Sequence, residues 1–529
     1  MFGDWRDKLK SLRDRLTGVR HAQPLREVRE ADRTERLQEP ESLPPAAEMQ
    51  EQTAPTPVTG EVAKATIAPT RSRKPTPTPK PSAPAARVSL NLGIDFGTSF
   101  TKVCYRDVGT EESGVVTFGG RTAESAVIPT IVAIDHKGRL FVGDDIPRGL
   151  KVVAIPYLKM RLAGEPIDEA QAVAGFDLKE RHVVCALTSW FLASVIKRSQ
   201  TWIEQQQKGR LKNRAPVWSA NVGVPVEHFD SDALSTFEEA LGVAWHWLKE
   251  DQLPSTIADA VAAYGQTVPA LCDAVADFHA VPEIAAAVQS FVTSREAAPG
   301  IYVYFDVGGG TLDGVAFDFI NRNGERRINF YSGKVSALGL AAIGAVIGLD
   351  TRCPIDATEF DKHFTNGAQP FSDEQAQRVR RLVAEVIMTA KRKDSRNWQK
   401  DAIQRSDTER KNVGPLLASR MQPLRIFVGG GGSQSAWYCA AITSTHGRFQ
   451  HLNAGVPPYE LCEVPRPVDL NMHGIADQDF RRFAISYGLS IPFGEGPDLG
   501  LPSQFADAEK PRQWQPPGGV SYADSKDIC

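Results

Sequence analysis

Asp306-Val307-Gly308-Gly309-Gly310-Thr311-Leu312-Asp313 sets an acidic residue, three glycines and a hydroxyl between two strand-like runs, residues 301–306 and 311–319. Val315, Phe317 and Phe319 alternate along the second run, so one face of it is apolar. Three successive glycines behind a strand-end aspartate are costly in backbone entropy, and an ordinary hairpin manages with one or two. The pattern predicts a tight turn whose amides and hydroxyl approach a ligand. Residues 93–102, Gly-Ile-Asp-Phe-Gly-Thr-Ser-Phe-Thr-Lys, repeat the logic 211 residues earlier, counted from Asp95 to Asp306. Gly97 brings the turn close to a ligand, Thr98 and Ser99 offer amides and hydroxyls to phosphate, and Asp95 suits Mg²⁺ held through water. A third run, residues 426–433, carries a buried-strand pattern into Gly429, Gly430, Gly431 and Gly432. Ser433 follows, and is read as the cap of the next helix.

The rest of the chain is consistent with a cytoplasmic α/β protein. It has 529 residues with 61 Lys+Arg against 64 Asp+Glu, a balance that gives no electrostatic case for nucleic-acid binding. The seven cysteines are scattered without a C-x-x-C pair, which argues against a zinc cluster or a disulfide framework. The longest apolar stretch, residues 336–348, falls short of the about 20 residues a membrane helix needs, and no apolar signal core opens the chain. Walker A, G-x-G-x-x-G, H-E-x-x-H and G-x-S-x-G patterns do not occur.

Composition divides the chain into five parts. Residues 1–23 read as an amphipathic helix on Trp5, Leu9, Leu12 and Leu16, suited to docking on a partner protein. An anionic membrane surface is the weaker alternative, because Asp4, Asp7 and Asp14 interrupt the basic residues. Residues 24–87 read as a disordered linker: 11 of the 36 prolines lie between Pro40 and Ala86, and proline neither donates an amide nor continues a helix. Residues 88–300 and 301–491 read as two α/β units, the first with a helical insertion near 240–280. Residues 492–529 read as an irregular tail.

The three glycine motifs, in this order, resemble the ATPase superfamily of actin, sugar kinases and DnaK-type heat-shock chaperones. The details are most similar to the nucleotide-binding domain of heat-shock protein 70. Residues 128–134 (IPTIVAI), 140–145 (LFVGDD), 161–164 (RLAG), 222–225 (VGVP), 282–287 (PEIAAA), 389–392 (TAKR) and 477–488, ending ISYG, each resemble a segment of it. The resemblance spans about Val88 to Ile491. It implies an actin-like fold of two duplicated ribonuclease H-like lobes with ATP or ADP and Mg²⁺ in the cleft. The segment after Gly488 is too short for that family's peptide-binding domain, which implies a partner-controlling ATPase without one.

The same resemblance implies roles for individual residues. Asp95 and Asp306 position Mg²⁺, with Glu283 as a metal-shell or lobe-coupling residue. Gly97, Thr98, Ser99 and Gly308, Gly309, Gly310, Thr311 cradle phosphates. Asp306 or Asp313 orients the attacking water, and Lys102 or Lys159 offsets charge on the transferred phosphoryl group. Lys391 and Arg392, or else a solvated helix end, meet the adenosine with Gly430, Gly431, Gly432 and Ser433. Gly339 either passes the phosphates or permits helix packing. Trp245 and Trp247 read as core. A polymerising actin-like ATPase and a small-molecule kinase, its substrate pocket lined by the insertion, are the rival expectations; a nucleotide-binding adaptor without hydrolysis is a third.

Overall fold

A computed structural model of the chain describes residues 86–507 except 166, 168–170, 274–276, 296, 351–354, 366–368, 395–422 and 453. The expected N-terminal helix and linker lie outside the described residues, as does the tail beyond 507. The described residues fall in one compact unit. They form a mixed α/β structure built on two large sheets.

The first sheet contains β1 (Ala86–Phe96), β2 (Phe100–Asp107), β3 (Ser113–Val115), β4 (Arg214–Val224) and β5 (Phe278–Pro282). Their spatial order is β5-β4-β1-β2-β3. β1 is parallel to β4 and antiparallel to β2; β4 and β5 are parallel, and β2 and β3 antiparallel. The second sheet contains β6 (Gly300–Val307), β7 (Leu312–Arg322), β8 (Glu325–Ser336), β9 (Leu424–Gly429) and β10 (Tyr459–Cys462). Its order, β10-β9-β6-β7-β8, repeats the first with every pairing in the same sense. Asp498–Gly500 extends it by pairing with β8, and Pro502–Gln504 forms a 3₁₀ turn. Within the part of the expected irregular tail that is described, 492–507, these two short elements are regular. Sheet pairing, which composition does not register, orders that segment.

The residues of both sheets sort by strand parity, because successive side chains point to opposite faces. Leu90, Leu92, Ile94 and Phe96 of β1 enter one core with α2 (Arg181–Gln206), α3 (Ala233–Lys249) and α4 (Ile257–Thr267). Trp245 and Trp247 belong to this core, and the Trp247 indole donates to Thr267 at 3.0 Å. The tryptophan pair is thus packing, as read. Val303, Phe305 and Val307 of β6 face another core with α7 (Gln369–Lys393) and α8 (Ala436–Thr443). Tyr302 and Tyr304 face a middle core shared with α5 (Glu283–Ala287) and α9 (Ala484–Leu489).

The middle layer is tight. A methyl group on Gly93 would lie 2.1 Å from the Ser486 carbonyl oxygen, and one on Gly488 would lie 2.0 Å from that of Ala286. Asn91 and Asn221, buried on β1 and β4, donate to carbonyls at the end of α9: Asn91 to Ser490 at 2.9 Å, Asn221 to Leu489 at 2.8 Å. Close approach of α9 to both β1 and α5 thus requires glycine at two points. Gly488→Ala should destabilise the protein by about 2–3 kcal/mol, since the nearest atom is backbone and cannot rotate away; urea unfolding of the two proteins side by side measures it.

Candidate functional site

Parity also places the charged side chains. In β1 the odd positions Asn91, Gly93 and Asp95 face the middle layer; in β6 the even positions Tyr302, Tyr304 and Asp306 do so. Across each hairpin, Asp95 pairs in register with Lys102, and Asp306 with Asp313. Equivalent strand ends therefore bring four charged residues to one cleft. Its lining includes Asp95, Lys102, Lys159, Glu283, Asp306 and Asp313. Counted with the open solvent at its mouth, the cleft spans about 690 Å³.

The two glycine turns meet at this cleft. Thr98 and Thr311 face each other with hydroxyl oxygens 3.4 Å apart. A methyl group on Gly309 would lie 2.7 Å from Ser99 Cβ, and one on Gly310 would lie 2.5 Å from Thr98 Cγ2. The second and third glycines are thus required by the opposing turn. Gly97 and Gly308 commit their amides inside their own turns, to Asp95 O at 3.0 Å and Thr311 O at 2.9 Å. The amides that remain for an anion are those of the turn residues that follow.

Gly339 sits behind the second turn. The amides of Leu340 and Ala341, which open α6 (Leu340–Val346), donate to the carbonyls of Gly308 and Gly309 at 3.0 and 2.6 Å. A methyl group on Gly339 would lie 2.6 Å from those same carbonyl oxygens, so its role is packing. In the third motif, Gly430 has φ +80° and lies against Asp306, and Gly432 lies against Val307; only Gly431 lines the cleft with open space before it. Ser433 donates to Gly430 O at 2.8 Å. The helix cap is Ser435, whose hydroxyl accepts from the Tyr438 amide at 3.3 Å, not Ser433 as expected from its place directly behind the glycines. Lys391 donates to Ala454 O and Arg392 to Thr389 at 2.9 Å; neither is among the cleft-lining residues, and their partners are within their own half of the chain.

Two ion pairs stand in the cleft, one half-buried at its lysine and one buried. Lys102 Nζ lies 2.5 Å from Asp95 Oδ2, and Lys159 Nζ lies 2.5 Å from Glu283 Oε1. Lys159 is delivered by α1, a five-residue helix (Leu158–Leu162) entered through Tyr157 in the left-handed region at φ +61°. Glu283 opens α5 beneath Gly223, where a methyl group would lie 2.6 Å from its Cγ. Asp306 Oδ1 and Asp313 Oδ1 are buried without a hydrogen-bond partner. Burial pushes Asp306 up to about 6 against the pull of Lys102, with Asp95 adding to the rise. Burial likewise pushes Glu283 up to about 7, although Lys159 opposes it. It drives Asp313 well above the carboxylate range. Burial opposes the charge on Lys159, but Glu283, Asp313 and Asp95 together hold its ammonium above the ordinary lysine range.

The cleft thus holds four carboxyl groups against two ammonium groups, and two carboxyl oxygens lack partners. This chemistry fits a hydrated divalent cation, which would satisfy the orphaned oxygens. Among the described residues, no three His, Cys, Asp or Glu side chains gather closely enough to coordinate a metal directly. Sequence reading missed Arg482, which lines the cleft and contacts Glu124 at 3.3 Å. No glycine motif marks it, and it ends the 3₁₀ turn Asp477–Arg482 that precedes α9. No family model matches the chain, and no curated protein matches it.

The raised carboxyls have a pH signature. Asp306 and Glu283, like Asp313, bind protons more tightly folded than unfolded. Their contribution is complete below about pH 4, where the unfolded chain is protonated too, and is lost as pH rises through about 6 for Asp306 and about 7 for Glu283. The ligand-free protein should therefore lose stability between about pH 4 and 7. Asp306→Asn should lose less, with a difference approaching about 2–3 kcal/mol at the upper end. Urea midpoints of both proteins across that range test the sign.

Proposed function

We propose that the chain binds Mg-ATP in this cleft and hydrolyses it slowly, as a DnaK-like switch that controls a partner protein. In this reading the two sheets are the cores of two actin-like lobes. The repeated strand order supports that architecture, and the observation that carries the function is the pair of equivalent glycine turns facing one another across a charged cleft. Thr98 and Thr311 donate hydroxyls to phosphate, together with the free amides of their turns. Asp306 or Asp313 orients the attacking water; buried carboxyls with unpartnered oxygens suit that task. Lys159, fixed by Glu283, and Lys102 provide positive charge where the phosphoryl group transfers. Mg²⁺, when bound, supplies further charge compensation between phosphates, with Asp95, Asp306 and Glu283 as its outer holders through water. Change in the angle between the halves would then alter affinity for a partner recruited by the N-terminal segment.

A polymerising actin-like ATPase is the second reading, favoured by Lys102 on β2, which lines the cleft. Nucleotide-dependent light scattering separates the two. Among the described residues of 240–280 none lines this cleft, so the cleft itself gives the kinase reading no support from the insertion.

Purified protein should hydrolyse ATP in a Mg²⁺-dependent way. Asp306→Asn and Thr311→Val should each slow turnover by about 10²-fold, the usual loss for a positioned group of this kind. ATP binding without turnover would favour an adaptor, and no binding would remove the reading altogether.

A further inference from the structure

The two hairpins are equivalent in topology but opposite in charge. Where the second sets Asp313 across from Asp306, the first sets Lys102 across from Asp95. One aspartate is left with an unpartnered oxygen; the other is already neutralised, at 2.5 Å, by a lysine from the neighbouring strand.

The two cleft lysines also differ from each other. Lys159 is 5% exposed, and its partner Glu283 is 2% exposed and wedged beneath Gly223. That pair has no room to separate. Lys102 is 16% exposed, lies at the cleft wall, and carries a flexible four-carbon stem. It stands three residues beyond Ser99, so a phosphate seated on the Thr98–Ser99 turn enters within reach of its ammonium. Asp95, by contrast, is 4% exposed and fixed at the end of β1.

Resting on the Mg-ATP reading above, we propose that Lys102 is an internal counter-ion that locks Asp95 against divalent metal until a polyphosphate arrives. In the ligand-free protein the ammonium holds the carboxylate. An incoming phosphate draws the ammonium across, and Asp95 then has a buried, uncompensated charge that a hydrated cation satisfies. The physical reason is that a buried carboxylate stripped of its partner must regain a cation or a proton. Nucleotide binding is therefore what creates the first hairpin's share of the metal site. Metal on its own finds Asp95 occupied.

Titration of the full chain with Mn²⁺, followed by the electron paramagnetic resonance of the free ion, tests this with and without ADP. Wild type should take up Mn²⁺ stoichiometrically only when ADP is present. Lys102→Met should bind Mn²⁺ without nucleotide more than about tenfold more tightly than wild type, the scale of an unpaired buried charge. Adding Asp95→Asn to that variant should abolish the gain, and Lys102→Arg should behave as wild type. If Lys102→Met does not fold, Lys102→Gln takes its place with the same expectation; equal Mn²⁺ uptake by wild type with and without ADP also overturns the lock. So does a folded Lys102→Met with no gain in affinity. In either case ADP binding by wild type keeps the nucleotide reading. A wild type that binds no ADP under any condition sinks that reading, and the lock with it.

Discussion

The close crossing of α9 over β1 and α5 is the constraint on which the rest of the structure depends. At Gly93 and Gly488 there is no space for even a methyl group, and Asn91 and Asn221 fasten the end of α9 with buried hydrogen bonds. Without that approach the middle core would open. The side chains of Tyr302, Phe317, Phe330 and Phe427, which fill it from the second sheet, would lose their partners. Because this layer joins the two sheets, it also fixes how their strand ends face each other. The site inherits its geometry from apolar packing some distance behind it.

The charges in the cleft follow from the same parity that fills the cores. A strand whose alternate residues are Leu90, Leu92 and Ile94 must send Asp95 to the opposite face, and the same holds for Asp306 behind Val303 and Phe305. The fold accommodates the resulting cost in two ways. Asp95 and Glu283 are met by ammonium groups, while Asp306 and Asp313 are left with unpartnered oxygens and a preference for protons. Burying such groups opposes stability, and their retention in a cleft is the usual mark of a site that uses charge.

Several features were legible in the sequence. The strands around the first two glycine motifs, the buried run before the third, and the Trp245–Trp247 core all stand where periodicity put them. Asp95, Thr98, Asp306, Thr311, Lys159 and Glu283, singled out far apart along the chain, line one cleft. Other features were not legible. The glycines at 309 and 310 signalled close approach correctly, but the nearest neighbour is the opposing turn. Gly339 serves helix packing, and Ser435 caps where Ser433 was expected, because four glycines let the chain run two residues further before the helix begins. The strand at Asp498–Gly500 forms on an edge supplied by β8, from far earlier in the chain.

The sequence by itself determined the local chemistry: turns rich in glycine behind aspartates, hydroxyls that follow them, and a lysine a few residues beyond the first of these turns. These depend on neighbours along the chain, and alternation and glycine content report them directly. Only the tertiary structure decided which charges are paired and which are left open. Lys102 meets Asp95 because both lie in register across a hairpin, and Lys159 meets Glu283 from 124 residues away. Asp306 and Asp313 are left unsatisfied because their register sets carboxylate against carboxylate. Pairing of that kind is a property of distance in the folded state, and electrostatic interaction inside a low-dielectric cleft changes steeply over a few ångströms.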